Sequence, residues 1–154
     1  MSGADSVGIV YNPRTPRSKP LVQQLADKLG LGESSWIVPT SDKEDHSPPP
    51  SISVIITVGG DGTILWASQI AAPRGIPILG VNLGRVGFMT ELRADEAVNR
   101  VREFLDGQVW VEERTMLQAK VVSEQVEDTD LPWKGAAPVP LLALNDVVVG
   151  RSAI

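Results

Sequence analysis

The stretch Ser53-Val54-Ile55-Ile56-Thr57-Val58-Gly59-Gly60-Asp61-Gly62-Thr63-Ile64-Leu65 decides how the rest of the chain is read. Its first half is a short β-branched apolar run, the pattern of a strand buried on both faces of a parallel sheet. Gly59-Gly60-Asp61-Gly62 interrupts that run, and Thr63 to Ala72 then has helical composition. Strand, glycine turn and helix start follow one another directly. Glycine permits positive φ and lets backbone N–H groups approach a ligand closely. A helix start adds unpaired N–H groups and a partial positive charge, which together favour a phosphate. A plainer reading has Asp61 and Thr63 capping a helix behind a tight turn. Chance weighs against it. At about 7% glycine, Gly-Gly-x-Gly arises in roughly one chain of this length in twenty, and adding the Asp and Thr lowers that to on the order of one in several thousand. No Gly-Lys-Ser/Thr of a Walker loop follows, and Leu65 stands where Gly-x-Gly-x-x-Gly needs its third glycine. A phosphate-handling turn is the expectation.

On the N-terminal side, Val7 to Tyr11 reads as a strand ended by Asn12-Pro13, with Arg14, Arg17 and Lys19 nearby as loop cations. Leu21, Val22, Leu25, Ala26 and Leu29 share one helical face that Gly30 closes. Ser35 to Val38 is a short candidate strand, and Pro39 to Ser51 is a polar, proline-rich surface loop. On the other side, Ile76 to Val81 is a second buried strand that runs into Asn82-Leu83-Gly84-Arg85-Val86-Gly87-Phe88, a second glycine-bearing turn. Successive β/α steps with short connections predict an α/β fold with an open, mostly parallel sheet and the glycine turns at its strand ends. Ligands of such sheets bind at the carboxyl ends of the strands, so the two turns should share one crevice. Ala94 to Leu105 is an amphipathic helix closed by Gly107.

From Val109 the pattern changes. Val109 to Arg114, Met116 to Val122 and Leu141 to Val149 read as strands, with a polar connection from Ser123 to Pro140, and no helical pattern returns. A boundary near 108–112 separates an α/β nucleotide-phosphate-binding domain (1–110) from the beginning of a β-rich domain (111–154), whose roughly 45 residues are too few to close a core of their own.

Composition narrows the chemistry. Fourteen Lys and Arg against nineteen Asp and Glu leave a net charge of −5, and no basic cluster suits duplex nucleic acid. With no cysteine, disulfides, thiolate zinc sites and cysteine nucleophiles are all excluded. The single histidine, His46, lies in the proline-rich loop and reads as solvated. Without a second one no His–His metal pair can form, and no metal ligand is assigned. No apolar run approaches the ~20 residues of a membrane span and the N-terminus has no signal-peptide character, so a cytoplasmic protein without a membrane partner is expected.

Val58-Gly59-Gly60-Asp61-Gly62-Thr63, Gly80-Val81-Asn82-Leu83-Gly84-Arg85-Val86-Gly87-Phe88 and Ala143-Leu144-Asn145-Asp146-Val147-Val148 resemble, in order, the successive motifs of bacterial NAD kinases. The first motif alone is shared with diacylglycerol and sphingosine kinases and, more loosely, phosphofructokinases; the second and third point to NAD kinases. The resemblance implies NAD bound between an α/β and a β-rich domain. It implies phosphoryl transfer from ATP or polyphosphate to the adenosine ribose 2′-hydroxyl, giving NADP, with a divalent metal such as Mg2+, and a homo-oligomer in the full-length form. Asp61 matches the catalytic aspartate, and Gly60 and Gly62 the phosphate-turn glycines. Leu65 and Phe88 match apolar contacts to adenine, and Asn145 and Asp146 the pair that holds ribose and adenine.

The residues read alone agree with the catalytic role, since a ribose hydroxyl is a poor nucleophile at neutral pH and requires a carboxylate within reach of its proton. Phe88 reads equally as core packing, and Asn82, Arg85 and Thr90 as turn-formers or phosphate contacts. Two other classes stand beside NAD kinase: a lipid or sugar kinase with the same Gly-Gly-Asp-Gly-Thr element, and a non-catalytic nucleotide-binding fragment. The family's later glycine-serine/threonine-alanine-tyrosine motif should follow Asn145-Asp146, whereas the sequence ends at Ile154. The chain therefore reads as a fragment and is expected not to turn over by itself.

Overall fold

The structure, a computed structural model, describes residues 6–32, 34–40, 47–84, 87–107, 109–119 and 141–148. The short β-branched runs become strands β1 (Val7–Tyr11), β2 (Ile37–Pro39), β3 (Val54–Gly59) and β4 (Ile78–Asn82). The segments with helical spacing become α1 (Ser18–Leu29), α2 (Asp61–Ala71) and α3 (Ala94–Leu105), and a two-residue strand β5 (Leu92–Arg93) precedes α3. These five strands form one sheet in the order β2-β1-β3-β4-β5, with every neighbouring pair parallel. This is the open parallel α/β sheet expected from the sequence.

Side chains alternate across a strand, so each buried strand feeds two cores. In β3, Ile56 and Val58 pack with Leu21 and Leu25 of α1 and Ala97 and Val101 of α3. Ile55 faces the other way, with Val10 of β1 and Ala67 and Ala71 of α2. Ile9, Ile55 and Ile56 are fully buried, each contributing ~1.5–3 kcal/mol by leaving water. The helix ends are tied locally. The Arg102 guanidinium of α3 donates to the Lys28 carbonyl at the end of α1 (2.7 Å), and Glu96 accepts the Arg93 N–H at the start of α3 (3.0 Å).

From β1 the chain crosses through α1 to β2 on one side, then places β3 on the opposite side of β1. The order reverses there, and the helices that follow β1 and β3 pack in different cores, α1 with Ile56 and α2 with Ile55, the kind of switch point at which open α/β sheets bind ligands. Beyond β3 the β4–β5 connection is unusual. Parallel neighbours are ordinarily joined by a crossover of a dozen residues or more, yet Asn82 ends β4 and Leu92 begins β5 beside Val81. The connection over 83–91 (the 83–91 loop), described at 83–84 and 87–91, returns to the sheet edge, with the Glu91 N–H donating to the Gly80 carbonyl (3.1 Å). The Glu91 carboxylate in turn accepts the Gly80 N–H (2.7 Å), standing in for a missing neighbour in the ladder.

Contacts divide the chain into Met1–Glu112 and Glu113–Ile154. The described part of the second unit is an antiparallel pair, β6 (Leu117–Ala119) with β7 (Leu141–Ala143), Leu117 opposite Ala143. Several boundaries depart from expectation. Residues 109–116 carry no strand, and Trp110 and Val111 are 99% and 69% exposed. β-branched and aromatic composition makes a strand only where a partner supplies hydrogen bonds and a packed face. The strand expected over Leu141–Val149 likewise stops at Ala143, and 144–148 are irregular. The strand expected over Ser35–Val38 runs instead from Ile37 to Pro39, where it registers with Ile9, Val10 and Tyr11. His46, Arg85 and the Ser123–Pro140 connection lie outside the described residues. No described helix is long and apolar enough to cross a membrane.

Candidate phosphate-handling site

β3 delivers Gly59 to the carboxyl edge of the sheet, opposite Asn82 of β4, and α2 begins two residues later. Gly59 is a close-approach glycine: a Cβ there would fall on the Thr63 side chain, its Cβ at 2.9 Å. Thr63 is buried at 3% exposure. Its role is to pack on the turn that carries it, not to cap the helix. Gly60 occupies the N-cap in extended conformation (φ −129°, ψ −168°) and has no side chain to bond the first-turn amides; its carbonyl accepts the Thr63 N–H (2.8 Å), and the Asp61 and Gly62 amides at the helix start are the ones an anion could approach. The conformational reason expected for these glycines is not the operative one. Among the described residues positive φ occurs at Gly30, Gly75 and Gly107, none of them in this turn. At Gly60 and Gly62 a Cβ would meet nothing within 4 Å, so no protein atom fills the space beside them.

Asp61 is the first residue of α2, and its side chain does not cap that helix. The carboxylate reaches across to the 83–91 loop, where Oδ2 accepts the Phe88 N–H (3.1 Å) and Oδ1 the Met89 N–H (3.2 Å). The two glycine-bearing turns are thus joined by one side chain. Two of the carboxylate's four or so lone-pair sites are used, and the others stay available. Asn82, buried at 9%, folds the start of the loop by accepting the Gly84 N–H on Oδ1 (2.8 Å), an Asx turn. At the neighbouring strand end the Asn12 N–H donates to the Val58 carbonyl (3.0 Å), and Asn12 Oδ1 accepts the Arg14 N–H (3.0 Å).

Gly60, Asp61, Gly62, Leu65 and Phe88 all belong to the first unit. Leu65 is 37% exposed on α2, and the Phe88 ring is 95% exposed, which removes its reading as core. Asn145 and Asp146 belong to the second unit, directly after β7, and both are exposed. Sequence reasoning missed the part played by Gly87, Met89 and Glu91. Two of them act through backbone atoms or the lack of a side chain, and nothing in residue type announces that. The Glu91 bond depends on the unforeseen strand β5. Among the described residues no group of three or more His, Cys, Asp or Glu side chains is placed to hold a metal ion.

Comparison with known proteins bears on the same residues. The family model for the ATP-NAD kinase N-terminal domain matches residues 33–109, from before β2 to just past α3. An NAD kinase of Dehalococcoides mccartyi is 37% identical over 150 residues, covering 96% of this chain and 50% of the relative. An NAD kinase of Heliobacterium modesticaldum is 34% identical over 155 residues, covering 95% and 51%. The chain therefore spans about half the length of the curated relatives it matches. Among solved structures, the yeast NADH kinase complexed with NADH superposes with a TM-score of 0.56 over 91% of this chain and 47% of that one, at 19% identity, a likeness of fold.

Proposed function

The chain belongs to the NAD kinase family, and from that premise we propose that the full-length protein phosphorylates the adenosine ribose 2′-hydroxyl of NAD, with ATP or polyphosphate as donor. The observation that carries this reading is the position of Asp61. It is a carboxylate at the crevice edge, oriented by two backbone amides, beside a helix start whose glycines leave room for a phosphate. Asp61 takes the proton from O2′ as that oxygen forms its bond to the γ-phosphorus. The bond from phosphorus to the bridging oxygen breaks, and its electron pair leaves with ADP, or with the shortened polyphosphate. The Asp61 and Gly62 amides at the start of α2 stabilise the phosphate charge.

A divalent metal such as Mg2+ would neutralise phosphate charge. Such ions are usually held by substrate phosphates with one or two carboxylates. Leu65 and Phe88 offer apolar surface to the adenine, and Asn145 and Asp146 hold ribose and adenine. Segment 1–110 thus supplies the phosphate turn, the base and the apolar contacts to adenine, and segment 111–154 the Asn145-Asp146 pair. The cytoplasm, where both nucleotides are held, is the expected compartment. A homo-oligomer is the expected state of the full-length protein, checked by sedimentation velocity.

The direct test is enzyme-dependent NADP formation by the full-length protein, run beside diacylglycerol, sphingosine and sugar acceptors. Phosphorylation of a lipid or sugar with no NADP formed would replace this reading by the kinase alternative. Nucleotide binding without turnover would leave only a binding module. Asn145→Ala should raise the KM for NAD more than the KM for ATP; equal changes in both would remove Asn145 from the nucleoside site.

A further inference from the structure

We propose that Gly87 is a positioning residue for the Asp61 carboxylate, and that its missing side chain is what lets the 83–91 loop hold that carboxylate in line. The inference rests on the reading of Asp61 as the base. Three side chains converge on the place where a Cβ of residue 87 would stand: Asp61 Oδ1 at 2.7 Å, Thr90 Oγ1 at 2.9 Å and Asn82 Nδ2 at 3.4 Å. The first two distances are shorter than real Cβ atoms tolerate. The next two residues, Phe88 and Met89, donate the amides that grip the carboxylate. The atoms that would be crowded and the bonds that orient the base are therefore one cluster.

An added methyl has few ways to be accommodated. Asn82 is buried and tied to the Gly84 N–H, so it cannot swing aside without unfolding the loop. The Asp61 carboxylate is the free end of a side chain and yields first, or the loop lifts and carries the two amides away. Both routes separate the carboxylate from its donors. The cause is crowding of side-chain atoms at the Cβ position, and the amide spectrum of the variant reports separately whether it folds. A displacement of about 1 Å in a group that must meet a reacting atom can lower turnover by ~10²-fold.

The test is a double-mutant cycle in the full-length protein, with backbone amide NMR as a second readout. Gly87→Ala should lower kcat by about 10–10²-fold while the KM for NAD stays within about threefold. In an Asp61→Asn background the same substitution should change kcat by less than about threefold, because the group it displaces no longer acts. The Phe88 and Met89 amide protons should move upfield in Gly87→Ala as their bonds to Asp61 weaken. Equal losses of kcat in both backgrounds would mean general damage and overturn the proposal. So would full activity with unmoved amide signals. If Asp61→Asn alone keeps near-normal kcat, the base assignment falls by itself, and the amide shifts in Gly87→Ala still decide whether residue 87 positions the carboxylate.

Discussion

The two glycine-bearing turns stand side by side at the sheet edge, and they use glycine for opposite purposes. In the first, Gly60 and Gly62 face open space, and the room they leave lies in front of a helix start where an anion is favoured. In the second, Gly87 is crowded by Asp61, Thr90 and Asn82, and the room it leaves is already filled by the protein's own carboxylate. One turn leaves the space beside its glycines open, and the other fills it with a side chain. Asp61 belongs to the first by sequence and to the second by hydrogen bonding. Counting glycines therefore says little. What matters is whether the missing Cβ would meet solvent or protein.

The largest effect should come from the residue the two turns share. Asp61→Asn keeps size and one acceptor but removes the base, so kcat in the full-length protein should fall by about 10²–10⁴-fold with much less change in NAD binding. Near-normal kcat would reduce Asp61 to a strut between the turns.

The packing half of the first turn is the next to break. Gly59→Ala drives a methyl into the buried Thr63. Overpacking of this kind destabilises by ~1–3 kcal/mol, measured as a lower urea midpoint. A midpoint equal to wild type would show that the start of α2 can shift freely. The exposed ring of the second turn can be removed without touching its backbone. Phe88→Ala leaves the amide that serves Asp61, so the KM for NAD should rise about tenfold, the scale of one base–aromatic stack, with kcat little changed. A fall in kcat instead would show that the ring also holds the loop.

The smallest effect is expected away from both turns, at the start of α3. The Arg93 N–H, and then the Arg100 side chain, hold the Glu96 carboxyl below its ordinary 4.5. A lowered carboxylate pKa stabilises above the unfolded value and loses that contribution as pH falls through the folded one. Glu96→Ala should therefore lower Tm slightly near neutral pH, and the difference from wild type should shrink as pH falls below 4.5 and through the lowered folded value. A difference that persists in acid would show that the charge on Glu96 is not its source.

Much of the first unit was legible because burial on two faces leaves a mark on composition. Val54 to Val58 and Val7 to Tyr11 are strands for that reason, and Leu21, Leu25 and Leu29 mark a helix by spacing alone. Leu92–Arg93 leaves no such mark, since two residues carry no period; it is a strand only because the 83–91 loop returns it to the edge of β4. Trp110 and Val111 show the reverse case, strand-forming residue types without a strand. Phe88 reads from sequence as core or as contact surface, and only its 95% exposure separates the two.

The sequence by itself determined the fold class and the glycine turn between a buried strand and a helix, because these depend on residue type and spacing along one stretch of chain. Only the tertiary structure decided that Asp61 is gripped by Phe88 and Met89, that Thr63 packs on Gly59, and that Gly87 has no room for a side chain. Those are distances between segments that the parallel sheet brings to one edge. Backbone N–H groups and absent Cβ atoms are common to many residues, so nothing in the letters distinguishes the ones that meet.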